Sequence, residues 1–90
     1  MKRYMIERNI PEIGSFEHHQ YKSAAENSNA VLESLGPDIE WIESFVTANQ
    51  TYCIYNATGE DIIQQHSKIS GFPANKITEI VTGIGPGTAK

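Results

Sequence analysis

The stretch that most constrains this chain is Asp38 to Ala57, DIEWIESFVTANQTYCIYNA. Two runs rich in aromatic and β-branched residues flank Ala48-Asn49-Gln50, which predicts two adjacent strands joined by a tight turn. In the first strand Trp41, Glu43 and Phe45 share one side, and Ile42, Ser44 and Val46 the other. In the second, Tyr52, Ile54 and Asn56 oppose Cys53, Tyr55 and Ala57. Both sides of this hairpin are partly apolar, so each side calls for a cover.

The flanking sequence supplies helices and outer strands. Lys2 to Ile10 alternates as a strand, with Tyr4, Ile6 and Ile10 on one side and Met5, Glu7 and Asn9 on the other. Pro11 and Gly14 end it. Ser15 is a candidate helix N-cap, and Tyr21, Ala24, Ala25, Ser28, Val31, Leu32 and Leu35 recur at helical spacing up to Gly36-Pro37. Thr58 is a second candidate N-cap, with Ile62, His66 and Ile69 on one stripe and Gly71 as the stop. Lys76 to Thr82 reads as a last strand. The order β-α-β-β-α-β predicts an α+β, ferredoxin-like sandwich: a four-stranded antiparallel sheet with two helices on one face. Residues 1–83 form the single domain expected of 90 residues, and residues 84–90 a flexible tail.

In that sandwich Ile6, Ile42, Val46 and Ile80 are expected under the helices. Met5, Glu7, Trp41, Glu43, Phe45, Ile77, Glu79 and Val81 then face away. Large apolar groups among carboxylates are unusual on a solvated face and mark an interface or ligand groove. A homodimer packed sheet to sheet is the plainer expectation. The sharper one is a polar pocket between the paired sheets, where Glu7 or Glu43 binds a cation or a basic group.

Several function classes fall away on composition. The net charge is −4 and the basic residues are scattered, which argues against a nucleic-acid surface. No apolar run reaches membrane-spanning length and the start lacks a signal-peptide core, so a cytoplasmic protein is the default. Cys53 is the single cysteine, which excludes an intrachain disulfide and a CxxC site. Adjacent His18 and His19 lack the four-residue spacing of a helical metal clamp and fit a solvated helix face. Gly83-x-Gly85-x-Gly87 has no helix after it and is not a phosphate loop. His66, on an apolar stripe, reads either as a core histidine or as a ligand or proton carrier.

Tyr4-Met5-Ile6-Glu7-Arg8, Leu35-Gly36-Pro37, Trp41-Ile42-Glu43-Ser44, Tyr52-Cys53-Ile54-Tyr55, Gln65-His66 and Gly71-Phe72-Pro73-Ala74-Asn75 together resemble the small bacterial ferredoxin-like proteins classed as nickel-binding or nickel-responsive. The resemblance spans nearly the whole chain. It implies a ferredoxin-like fold, a homodimer and, for part of the family, a divalent metal such as nickel. Glu7, Glu43 and His66 match the family pattern and carry ligand chemistry. The leading expectation is therefore a small cytoplasmic binding protein, with nickel or another divalent metal as its ligand. A second is a dimeric α+β barrel-type enzyme or binder, holding a small organic molecule among Trp41, Phe45 and Tyr55, with His66 or Glu43 as acid or base. A third is a structural or regulatory homodimer without a ligand.

Overall fold

Lys2–Asn9 (β1) alternates as the sequence requires. Tyr4, Ile6 and Arg8 are buried, while Met5 and Glu7 lie half-buried on the reverse. The computed structural model describes residues 1–90. After β1 come a 3-10 turn (Ile13–Ser15), α1 (His18–Leu35), β2 (Ile39–Val46), β3 (Gln50–Ala57), α2 (Glu60–Ser70), β4 (Lys76–Ile80) and a short exposed 3-10 turn (Pro86–Ala89). The strands form one antiparallel sheet in the order β2-β3-β1-β4. This is the ferredoxin-like arrangement, with β1 and β3 central. No helix is long and apolar enough to cross a membrane.

The core lies between the sheet and its helices. Tyr4, Ile6, Ile39, Cys53, Tyr55, Ala57 and Ile63 form one buried cluster, with Leu32, Leu35, Trp41 and Ile77 packed against it. Fully buried Ile6 and Ile63 each contribute about 1.5–3 kcal/mol through the area they remove from water.

Register corrects the expected faces at two strands. In β2, Trp41 pairs with Tyr55 and Glu43 pairs with Ile54, so Ile42 is an extra, bulged residue. The bulge shifts parity within the strand. Trp41 therefore stands on the helix side with Tyr55, whereas Glu43 and Phe45 remain on the open side. Ile42, expected under the helices, is 41% exposed. In β4, Ile77 pairs with Ile6 and Ile80 with Arg3. Ile77 and Glu79 thus lie on the helix side and Ile80 on the open side, the reverse of the expectation. Val81 lies beyond β4, which ends at Ile80.

Helix starts also differ by a residue or two. Glu17, not Ser15, caps α1, and its backbone N–H donates to Gln20 Oε1 at 2.8 Å. Ser15 instead closes the 3-10 turn, where its hydroxyl donates to the Glu12 carbonyl. Gly59, not Thr58, caps α2, while the Thr58 N–H donates to the Asp38 carbonyl at 3.0 Å.

Candidate functional site

On the helix side, β1 parity carries Arg8 into the interior beside Tyr4 and Ile6. Arg8 is 3% exposed, and no carboxylate lies within ion-pair distance of it. Its Nη1 donates to Ser67 Oγ at 3.0 Å and to the carbonyls of Phe72 and Pro73 at 3.3 and 2.9 Å. The Gly71 stop turns the chain so that these carbonyls point back at β1. Nη2 is buried with no partner.

Beside it lies His66, fully buried from α2. Its Nε2 shares a 3.0 Å hydrogen bond with Ser28 Oγ of α1, and its ring stands 5.6 Å from that of Tyr55. Nδ1 has no partner. Burial is the main force lowering the His66 pKa to about 4, and the Arg8 charge adds to it. The imidazole is therefore neutral near pH 7. Burial also raises the Tyr55 pKa, against the smaller opposing pull of Arg8, so its hydroxyl stays protonated.

Arg8 and Tyr55 line a cavity of about 260 Å³ between α1 and the sheet. Ser28, Trp41, Ile13 and Ala25 are also among its largely apolar walls. Trp41 Nε1 donates to Ser44 Oγ at 2.9 Å, and Tyr21 donates to the Ile13 carbonyl at 2.6 Å, which fixes two of the walls. A second, shallower depression lies against the β2–β3 turn, lined by Gly14, Thr47, Ala48 and Asn49. Glu12 is its sole charged group.

The open face is ordered by the same registers. Three cross-strand rows run over it: Phe45, Tyr52, Glu7 and Lys76; then Glu43, Ile54, Met5 and Thr78; then Glu40, Asn56, Arg3 and Ile80. Phe45 is 53% exposed. Glu7 approaches Lys76 at 4.0 Å.

Of the metal-ligand candidates, Glu7 and Glu43 share the open face, two strands apart. His66 lies across the sheet from both, closed to solvent. The three do not meet within one chain, and no group of three His, Cys, Asp or Glu side chains is placed to hold an ion. His18 and His19 are exposed at the start of α1, with His19 Nδ1 3.4 Å from Glu17. The trio Trp41, Phe45 and Tyr55 is split as well: Trp41 and Tyr55 share the cavity, and Phe45 lies on the opposite face. Arg8 is the site residue that sequence reasoning missed. The signal was present, since alternation from Tyr4 and Ile6 assigns Arg8 to the apolar side of what proves a central strand.

A βαββαβ sandwich with a small cavity under α1 and a mixed apolar and charged open face defines a small ferredoxin-like α+β domain. The family model described as "Nickel responsive protein SCO4226-like" matches residues 4–80, and the chain belongs to that family. The fold is similar to the crystal structure of SCO4226 from Streptomyces coelicolor A3(2), with a TM-score of 0.76 over 91% of this chain and 99% of that one. The two are 14% identical, so this likeness speaks for the fold. No curated protein matches.

Proposed function

We propose that this chain is a small divalent-metal-binding protein, with nickel as the candidate ion, that works as a homodimer joined through the open sheet faces. The observation that carries the reading is the order of that face. A second copy can be turned over about an axis crossing the strands at the Glu43–Ile54–Met5–Thr78 row. That row then meets itself and the outer rows exchange. Glu7 comes to lie over Arg3 of the second copy, a complementary pair, and Met5 and Ile54 meet their own copies. Glu43 faces Glu43. Two carboxylates facing one another in an interface oppose joint ionisation unless a cation sits between them. Membership of a nickel-responsive family supports a divalent ion, nickel first, as the ligand.

His66 is no part of this ligand set. Its Nε2 is engaged by Ser28, its Nδ1 is closed to solvent, and the sheet separates it from the carboxylates. Carboxylate oxygens select nickel less sharply than imidazole does. The test is calorimetric titration of chelator-treated protein with nickel, and with zinc and magnesium as controls. Glu43→Gln is expected to weaken binding at least about tenfold. His66→Gln is expected to leave it unchanged. Absence of nickel binding by the native protein, or full binding by Glu43→Gln, overturns the reading.

A further inference from the structure

The two sides of the sheet carry different chemistry, and the helix side has a charge that the metal reading does not use. Arg8 sits in a central strand, almost wholly buried, with no carboxylate near it. A buried guanidinium is ordinarily matched by an anion. Here Nη1 is held by one hydroxyl and two carbonyls, all neutral, and Nη2 has no partner. The sequence holds eleven acidic residues, yet none is spent on this cation.

We infer that the cavity between α1 and the sheet binds a small organic acid, a compact monocarboxylate with an apolar body, whose carboxylate pairs with Arg8. The walls decide the two halves of that ligand. Arg8, Tyr55 and Ser28 are the polar residues at one end of the lining, and Nη2 of Arg8 lies there buried and still without a partner. A planar guanidinium suits a carboxylate, because two parallel N–H groups match two oxygens. The remainder of the lining is apolar, with Trp41, Ile13 and Ala25 around the ligand's body. At about 260 Å³ the cavity falls just below the ~300–1,000 Å³ of ordinary ligand pockets, which selects a small acid over a nucleotide or a lipid. His66 is a positioning residue. Its hydrogen bond to Ser28 ties α2 to α1 behind the site, and because the ring is neutral it adds no second cation.

Chelator-treated protein keeps the test separate from the metal reading, which concerns the opposite face. Trp41 is the sole tryptophan and lines the cavity, so its fluorescence reports occupancy. The probes are benzoate and hexanoate, against benzamide and hexanamide of matched shape. Each acid is expected to bind at least about tenfold more tightly than its amide, the factor that one charge-assisted hydrogen bond carries. Arg8→Met is expected to abolish that preference. Ala25→Phe, which fills the cavity from α1 and leaves Arg8 in place, is expected to weaken both acids at least about tenfold, so the test survives if Arg8→Met does not fold. Equal binding of acid and amide, acid binding undiminished in Ala25→Phe, or dissociation constants above about 1 mM for both acids would overturn the inference.

Discussion

At the scale of single residues, the buried polar groups behind α1 set how the molecule responds to acid. His66 titrates at about 4 in the folded chain against 6.5 for the free side chain. The unfolded state therefore takes up the proton first as pH falls. This contribution to stability is complete above pH 6.5 and is lost as pH drops towards 4. The size is about 3 kcal/mol at 1.36 kcal/mol per pKa unit. His66→Gln removes the titration and leaves an amide that can reach Ser28. Urea unfolding of both proteins between about pH 7 and pH 4 is expected to show the native protein losing about 3 kcal/mol more than the variant. Parallel curves for the two would mean that the ring takes its proton without leaving the fold. Arg8 teaches a related lesson about reading sequence. Strand alternation alone places it inside, but the absence of a carboxylate partner cannot be read from the order of residues. The neutral partners it has instead, Ser67, Phe72 and Pro73, arrive from 59, 64 and 65 residues away.

At the scale of elements, spacing revealed what each segment is, and register decided which way it faces. The helical stripes and the strand alternation of β1 and β3 were legible because period alone defines them. The faces of β2 were not, because a bulge at Ile42 changes parity inside one strand and leaves no mark in composition. In β4, two isoleucines three residues apart, Ile77 and Ile80, necessarily point to opposite sides, and only pairing with β1 says which is inside. One junction has a sequence marker with a clear physical reason. The 3-10 turn packs backbone to backbone on the β2–β3 turn, where the Gly14 N–H donates to the Ala48 carbonyl at 3.0 Å. A Cβ on Gly14 would lie 2.7 Å from both Ala48 Cα and the Thr47 carbonyl oxygen, neither of which can swing away. Gly14→Ala is expected to cost about 1–3 kcal/mol in thermal or urea unfolding. Gly83→Ala, built into open space, is the control and should change stability little. A loss no greater for Gly14 than for Gly83 would mean that the two turns part without penalty.

At the scale of the whole molecule, the question is where a chain this small finds enough burial. Only 13 of 90 residues are buried, and the core uses one face of the sheet. A small domain gains proportionately less from burial than a large one, so covering the second face adds stability where it is scarce. That face presents Phe45, Ile42, Ile54, Met5 and Ile80 among Arg3, Glu7, Glu40, Glu43 and Lys76. Met5 and Ile54 stand at its centre with most of the charged groups around them, a layout that suits the proposed interface. Ile54 lies at the middle of the central row, so a charge there would be buried against its own copy. Sedimentation equilibrium is expected to show a dimer for the native chain and a monomer for Ile54→Glu, with the circular dichroism spectrum unchanged. A native monomer removes the shared interface outright. The two titrations then separate the faces. If metal is held between facing Glu43 side chains, Ile54→Glu loses nickel binding along with the dimer, while organic acids still enter under α1. A variant that loses both ligands would instead show that the sheet transmits changes from one face to the other.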